Sequence, residues 1–525
     1  MQLSFEIQNK KPIAMTLDGN EEKQGEYTCI ADIFMRARDT YPQCPALVIA
    51  GRTWSYDELG NLIDAAAFRL KKIVLAGSRI AIIGINHLSY IVAYWAAQRI
   101  GCPTVEISRN EPLKIISGVI AAAHARFVVT DRIDLKHEIQ GRIPVESFDE
   151  FLSECEKSKG VTSGVFSAGN SESSPDIFQI NEEASIVYTS GTTASAKGVV
   201  LSHGNFCFIA RAVANYLELT AQDRCALALP LCHTYGKSVL LSAFAAGAAV
   251  VVLDGFGYLR KCLSQLTSGG CTVLSVVPYH LHTLVNSGGF LKYDFSSLRA
   301  ITSSADKLPP SIIDILTEAL PKVRIFSMYG LTESTTRACY VPPELLHTKK
   351  GSCGRALSGV EIKIVNENGA PTTTGVSGEI LLRGPNIMKG YFGDAELTKA
   401  TIVDGWLKTG DIGHLDEDGF LYIDGRKKDI IKCAGERINP LEIEEVLAEH
   451  PSVEEAAVVG RCDPLMGETI HAYVTTSDPL LKIDDLRKHC NERLSPLKVP
   501  YQYTFVESFP KTGTGKIQKN ILSQR

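Results

Sequence analysis

The sequence predicts an α/β protein. A large N-terminal domain of layered sheets and helices with a β-rich subdomain precedes a small, mobile α+β C-terminal domain. Three observations predict this. Buried-strand runs alternate with amphipathic helical patterns in the first half of the chain, which is the signature of layers with largely parallel sheets. From about Gly351 the texture changes to short β-like runs with glycine turns. After Arg426 a compact α+β pattern begins.

The elements follow in chain order. Residues 81–84, 186–189, 248–253 and 272–277 read as buried strands, and 57–71 and 310–320 as amphipathic helices. The longest apolar stretch, 239–253, includes Ser242 and Gly247 and falls short of the roughly 20 residues that span a bilayer. It reads as a buried helix leading into a strand. Residues 154–174 are polar and rich in Ser and Gly, as in a surface connector. The β-like runs are 360–365, 379–383 and 420–424. Asn439 suits a helix N-cap, Pro440 the first helical position and Glu442 the third, and Pro451 stops that helix. Strands at 455–459 and 471–475 and a helix near 486–494 complete the small domain. The domains are read as 1–425 and 426–525.

Composition bounds the function. The chain has 525 residues, 45% hydrophobic and 22% charged, which is ample for more than one core. A net charge of −5 argues against a nucleic-acid binder, though not against phosphate ligands held by a few local groups. The 14 cysteines are scattered without a CxxC pair or zinc spacing. With no secretory signal and no transmembrane run, they read as reduced thiols of a cytoplasmic chain.

Five motifs carry chemistry. Tyr188-Thr-Ser-Gly-Thr-Thr-Ala-Ser-Ala-Lys-Gly198 runs from a strand into small and hydroxyl residues and then a lysine. Free N–H groups, hydroxyls and Lys197 there can bind phosphate oxygens; GxxxxGK[ST] is not satisfied. In Ser327-Met-Tyr-Gly-Leu-Thr-Glu-Ser334, Tyr329 offers a flat face for a nucleobase, Thr332 a hydroxyl, and Glu333 a hard oxygen ligand for Mg²⁺. Trp406-Leu-Lys-Thr-Gly-Asp-Ile-Gly413 sets Asp411 in a glycine-flanked turn, where it can accept from two ribose hydroxyls or from its own backbone. Asp424-Gly-Arg-Lys-Lys-Asp429 is a charged turn, either solvated or a hinge with Arg426 facing a ligand. Pro510-Lys-Thr-Gly-Thr-Gly-Lys-Ile-Gln-Lys519 places Lys516 on a glycine-bearing loop, either a basic tail or a lysine delivered to a developing negative charge.

Together and in this order, the motifs resemble the adenylate-forming superfamily. Its members include acyl-CoA synthetases, stand-alone adenylation enzymes and luciferases. The resemblance runs from Thr53-Trp-Ser-Tyr-Asp-Glu-Leu59 to Lys516. It implies an AMP-forming acid–thiol ligase that uses ATP and Mg²⁺. The acid is first joined to AMP, then passed to the phosphopantetheine thiol of CoA or of a carrier protein. By this resemblance Thr189, Ser190, Gly191, Thr192, Thr193 and Lys197 cradle the β- and γ-phosphates. Tyr329 stacks on adenine, whose amino group Asp306 can meet; Met328, Gly330 and Ile423 also belong to the ATP site; Thr332 bonds the α-phosphate, and Glu333 holds Mg²⁺. Asp411 and Arg426 hold the ribose. Lys516 bridges the substrate carboxylate and α-phosphate, and Lys428 is the hinge. Two departures stand out: Ala194 and Ala196 replace a glycine and a proline of the phosphate loop, and Ala434-Gly435 stands where two glycines are usual.

Pro230-Leu-Cys-His-Thr-Tyr-Gly-Lys-Ser238 matches the segment lining the acid pocket. The resemblance makes His233 the gating histidine and Thr234, Tyr235, Ser238, Ser303 and Ser304 pocket residues. The segment Arg337-Ala-Cys-Tyr-Val-Pro-Pro343 is similar to ligases that load carrier proteins. Amino-acid-activating members place an aspartate where this chain has Thr234, and a buried ammonium without a carboxylate is costly. The expected substrate is therefore a fatty, hydroxy or aryl acid without an α-amino group. An amino-acid-activating enzyme and a non-catalytic scaffold are the alternatives. Lys237 is expected to point away from the pocket, with a second acidic group of the substrate as its other possible partner.

Overall fold

Two sheets enclose a layer of helices in the larger part of the chain. The computed structural model describes residues 27–158, 180–189, 197–511 and 517–523. The first sheet has a parallel centre in which Pro45–Ile49, Ala249–Val252, Arg224–Leu227, Val273–Val276, Ala300–Ser303 and Arg324–Tyr329 lie side by side in that order. Their Val, Ile, Leu and Ala content suits strands covered on both faces. The same sheet continues antiparallel through Cys339–Tyr340, Ser352–Ala356, Leu421–Arg426, Trp406–Leu415, Gly378–Arg383 and Glu361–Val365. The β-rich texture after Gly351 is thus an extension of the parallel sheet.

The second sheet runs parallel through Val145–Ser147, Phe127–Thr130, Ile80–Ile83, Thr104–Glu106 and Glu183–Thr189. Lys197–Ser202 and Gly390–Tyr391 close it antiparallel. Between the sheets, helices Leu88–Arg99 and Thr234–Ala245 are buried on nearly every side, because neither has a polar stripe to give to water. Phe34, Tyr56, Trp95 and Phe244 pack there with ring centroids 5.4 to 5.7 Å apart. The apolar run 239–253 is a helix followed by a strand, as its length requires. The connector expected over 154–174 begins later than the composition implies. Residues through Ser158 finish the helix Phe148–Ser158, whose Phe148, Phe151 and Cys155 are buried. The rest of that stretch lies outside the described residues.

The third sheet orders Glu436–Ile438, Ile431–Cys433, Gly467–Thr475 and Glu455–Asp463, with Gln502–Phe505 parallel to Gly467–Thr475. Asn439 caps the helix Pro440–Ala448, its Oδ1 accepting from the Leu441 N–H at 3.0 Å. This part has its own core of Ile431, Ile443, Leu447, Val458, Val474 and Leu486. The last strand of the first sheet ends at Arg426 and the third sheet begins at Ile431, so the chain crosses over 427–430, where Lys428 is exposed. Across the junction Lys307 pairs with Glu445 and Arg437 with Glu367. The Lys511 ammonium lies 4.3 Å from the Tyr279 ring centroid. Among the described residues, no helix is long and apolar enough to cross a membrane. All 14 cysteines are free thiols, and all but Cys44 and Cys462 are buried.

Candidate active site

The loop that leaves the central strand Arg324–Tyr329 organises the site. Gly330 is obligatory there: a Cβ would sit 2.2 Å from the Thr336 carbonyl oxygen. The chain then makes a short 3-10 turn, Thr332–Ser334, and reverses through Thr335 and Thr336 at φ of 50° and 79°. Left-handed backbone is costly for β-branched residues and persists only where neighbours enforce it. The enforcing bonds are Thr335 Oγ1 to the Asn386 carbonyl at 2.7 Å and the Thr336 N–H to the Leu331 carbonyl at 2.7 Å. Asn386 Nδ2 in turn donates to the Arg337 carbonyl at 2.7 Å.

Two clusters hang from this loop. In the first, the Tyr329 hydroxyl donates to Asp411 Oδ2 at 2.7 Å, and Arg426 Nε lies 3.2 Å from Asp411 Oδ1. Asp411 is only 3% exposed. Burial, then the Asp411 charge, pushes the Tyr329 hydroxyl well above its ordinary range. The expected turn around Asp411 is corrected: Asp411 lies inside the strand Trp406–Leu415, directly opposite Arg426. Its flanking glycines serve a register shift after Ile412 and a close approach of Gly413 to the Tyr422 carbonyl. The charged turn at 424–429 is likewise shorter than expected, since Asp424, Gly425 and Arg426 are still strand.

In the second cluster the Glu333 carbonyl accepts from the Met388 N–H at 2.9 Å, and Glu333 Oε1 accepts from the Tyr391 hydroxyl at 2.9 Å. The Lys197 ammonium lies 5.4 Å from the centroid of the same Tyr391 ring. Thr189 and Lys197 face each other across the strands that bracket the phosphate-loop motif. Glu333 and Lys197 therefore share a neighbour, which sequence reasoning missed. The signal available was an aromatic after glycine in Met388-Lys-Gly-Tyr391. A single carboxylate such as Glu333 suits Mg²⁺, which takes few protein ligands and completes its shell with phosphate oxygens and water. Ser190, Gly191, Thr192, Thr193 and Lys516, with Ala194 and Ala196, lie outside the described residues. The segment holding Lys516 is flanked by Lys511 and Ile517, which pair with each other.

The residues expected to line the acid pocket gather at the start of helix Thr234–Ala245. Gly236 lets the helix press on Pro230, whose carbonyl oxygen would be 2.3 Å from a Cβ. Burial holds the His233 imidazole below its ordinary range, with Glu106 opposing, so the ring is neutral near pH 7. The Tyr235 hydroxyl meets Thr302 Oγ1 at 2.9 Å, and Thr302 Oγ1 donates to Ser275 Oγ at 2.9 Å. Ser238 Oγ donates to the Tyr235 carbonyl at 2.7 Å and is committed to its own helix. Thr234, Ser303 and Ser304 are buried, and Ser303 Oγ has no hydrogen-bond partner among the described residues. Ala305, at φ 82°, turns the chain so that Asp306 is exposed, its Oδ1 accepting from the Lys307 N–H. Met328 is buried and Ile423 half-buried near the Asp411 cluster.

Lys237 points towards the second sheet, at the strand Thr104–Glu106. It is 1% exposed and ion-paired to Glu106, which also accepts from Thr104 Oγ1 at 2.6 Å and Tyr90 Oη at 3.2 Å. The pair joins the helix to the second sheet. Burial lowers the ammonium's proton affinity and Glu106 opposes the effect.

Comparison with known proteins decides the family. Residues 34–392 match the family described as AMP-binding enzyme, and residues 442–516 match the AMP-binding enzyme C-terminal domain. The chain belongs to the AMP-binding enzyme family. It is 31% identical to the 2-succinylbenzoate–CoA ligase of Listeria monocytogenes serotype 4b, over 92% of this chain and 97% of the relative. It is also 31% identical to the indoleacetate–CoA ligase of Aromatoleum aromaticum, over 92% of this chain and 95% of the relative. Among solved structures, the o-succinylbenzoate CoA synthetase of Bacillus subtilis with its acyl-adenylate intermediate superposes with a TM-score of 0.82 at 29% identity, covering 93% of this chain and 97% of that one. The same enzyme has been solved with ATP and magnesium ion. The α/β architecture with a large and a smaller domain is that of these relatives.

Proposed function

We propose that this member of the family joins a carboxylic acid lacking an α-amino group to AMP and then transfers the acyl group to the thiol of CoA. The observation that carries the reading is the 329–333 loop, which ties Tyr329 to Asp411 and Glu333 to Tyr391 within five residues of chain. CoA is favoured over a carrier protein because the relatives are CoA ligases.

Each residue then has a part. Tyr329 presents its ring to adenine, with Met328, Gly330, Asp306 and Ile423 around it. Asp411 keeps lone pairs for ribose hydroxyls although Tyr329 and Arg426 already hold it. Thr189, Ser190, Gly191, Thr192, Thr193 and Lys197 bind the outer phosphates. Glu333, oriented by Tyr391, is the protein ligand for Mg²⁺, which when bound neutralises phosphate charge. Thr332 bonds the α-phosphate. Neutral His233 stands at the pocket mouth without repelling or neutralising the incoming carboxylate. Lys516 stabilises the charge that develops as the acid's oxygen attacks the α-phosphorus and pyrophosphate leaves. Rotation about Lys428 withdraws Lys516 and admits the thiol.

The absence of an α-amino group is supported by Thr234 and by the commitment of Glu106, the carboxylate that meets this helix, to Lys237. ATP–pyrophosphate exchange without thiol, across fatty, aryl, hydroxy and amino acids, tests the reading. Exchange with a non-amino acid is expected, and strongest exchange with an α-amino acid would overturn it. Lys516→Ala should cripple exchange yet largely spare thioester formation from supplied acyl adenylate. Equal loss of both half-reactions contradicts the role given to Lys516.

A further inference from the structure

Two contacts carry the small domain on the large one away from the crossover at 427–430. Lys307 pairs with Glu445 of the helix Pro440–Ala448, and the Lys511 ammonium sits 4.3 Å from the centroid of the Tyr279 ring. A further pair, Arg437 with Glu367, is largely exposed on both sides, so water screens it. The first two are better held. Lys307 runs past Gly351, where a Cβ would lie 3.6 Å from its Cε. Lys511 is fixed by both oxygens of Glu455, at 2.7 and 2.8 Å, and in that position faces the ring. Tyr279 is followed by His280, which stacks on Phe256 with centroids 4.3 Å apart and planes within 4°. The backbone beneath the ring is thereby anchored.

The junction is charged on both sides. Glu444 stands next to Glu445 and pairs with Lys519 at 2.7 Å. Burial raises the Glu444 carboxyl above its ordinary range; Lys519 opposes this, and Asp306, from across the junction, adds to it. Asp306 and Lys307 therefore face Glu444 and Glu445. Ion pairs within the small domain, such as Lys498 with Glu442 and Lys519 with Glu444, join residues that travel together. Lys307–Glu445 and Lys511–Tyr279 join residues on opposite sides of the crossover, so rotation there separates them.

Their place in the fold says which orientation they hold. Tyr279 follows the strand Val273–Val276 and Lys307 follows Ala300–Ser303, which are neighbours in the parallel centre. The strand on one side, Arg224–Leu227, leads on to His233, and the strand on the other ends in Tyr329. Both contacts stand at the carboxyl ends of these strands, the end where parallel sheets bind ligands. Lys511 also pairs with Ile517, the residue after Lys516. The foot of the segment that carries Lys516 is set down on the rim of the candidate site.

We infer that Lys307 and Tyr279 are positioning residues that seat the small domain for the first half-reaction and release it for the second. This rests on the two-step ligase reading above. Neither residue touches the reacting atoms; each acts through the place where it holds Glu445 or Lys511. Seating makes and breaks no covalent bond. A partly exposed ion pair and a cation over a ring are each weak, which suits contacts that are remade in every catalytic cycle. Tighter ones would hold the adenylating orientation and delay the thiol.

The test times the two half-reactions of the full chain separately. ATP–pyrophosphate exchange is run over a panel of fatty, aryl, hydroxy and amino acids. The acid that exchanges fastest is then supplied with CoA as its synthetic adenylate, and thioester formation is followed. Lys307→Glu sets like charges against each other at Glu445 and should lower exchange, relative to thioester formation, by about fivefold. Adding Glu445→Lys restores the attraction with its sign reversed and should return the ratio to within about twofold of the wild type. Tyr279→Leu keeps an apolar side chain but loses the ring face, and should lower the ratio by about threefold. Damage to folding lowers both half-reactions together and leaves the ratio alone. An unmoved ratio in Lys307→Glu, or a charge swap that fails to restore it, overturns the assignment. So does a ratio that rises, because the seat would then belong to the thiol-accepting orientation. A wild type that exchanges with no acid of the panel defeats the ligase reading itself, a result distinct from exchange whose ratio ignores these residues.

Discussion

Lys237 and Arg337 are both buried cations within reach of the helix Thr234–Ala245, yet their settings are opposite. Lys237 has a carboxylate partner with three hydroxyl groups arranged around it. Arg337 has an aromatic face, a phenol and its own loop. A charge completed by the protein is a fastening between helix and sheet. The sequence places Lys237 in the pocket motif yet expects it to point away, and it does not mark Arg337 as buried.

The largest expected effect breaks the completed pair. Glu106→Gln strands the Lys237 ammonium in the interior and should cost about 3–5 kcal/mol in urea unfolding. The double variant Glu106→Gln with Lys237→Met should recover most of that loss, because two matched charges replaced together leave nothing unpaired. Failure of the second change to rescue the first would mean that Glu106 has a role apart from Lys237.

A third buried group shows another solution, which is to stay neutral. His203 is 3% exposed, and its Nδ1 accepts from the Ile30 N–H at 3.3 Å. Burial pushes its imidazole down to about 4. Between that value and the unfolded value near 6.5, the unfolded chain binds more protons, so stability rises with pH across the window. Acidification from 6.5 towards 4 should therefore remove about 3 kcal/mol on this account. A His203→Gln variant should show a shallower loss over the same window, and an identical slope would contradict the assignment.

On the nucleotide side the comparable question is whether Tyr391 merely packs or orients Glu333. Tyr391→Phe removes one hydrogen bond to a carboxylate, an effect of about 1.5–3 kcal/mol when felt in full. Exchange should fall at least tenfold at low Mg²⁺ and less at high Mg²⁺. A loss that ignores Mg²⁺ would point to packing. The smallest effect is expected for Arg337→Met, where removing an unmatched charge should shift unfolding by only about 1 kcal/mol in either direction. A cost as large as that of Glu106→Gln would show that the protein itself completes the Arg337 charge.

What was legible in the sequence was local. Asn439, Pro440 and Glu442 mark a helix start within four residues, and the helix begins there. The apolar run 239–253 has a length that only a helix turning into a strand can use. Tyr329, Thr332 and Glu333 announce themselves as a set because small and polar residues follow a buried strand. What was illegible was set by long-range pairing. Tyr391 reaches Glu333 across 58 residues and Glu106 reaches Lys237 across 131, with no local pattern to mark either. Asp411 was misread for a related reason. Glycines on both sides signal a turn in isolation, but here they let one strand bulge and pass close beneath its neighbour. The left-handed Thr335 and Thr336 are similarly invisible, since only the segment around Asn386 makes that backbone tolerable.

The central claim is that an acid oxygen attacks the α-phosphorus and a thiol later displaces AMP. It is tested most directly by following oxygen-18 from a labelled carboxylic acid through a reaction with ATP and CoA. The account predicts that one labelled oxygen appears in AMP, that pyrophosphate is unlabelled, and that the acyl-CoA keeps the other. Label in inorganic phosphate with formation of ADP, or unlabelled AMP beside labelled acyl-CoA, would contradict it.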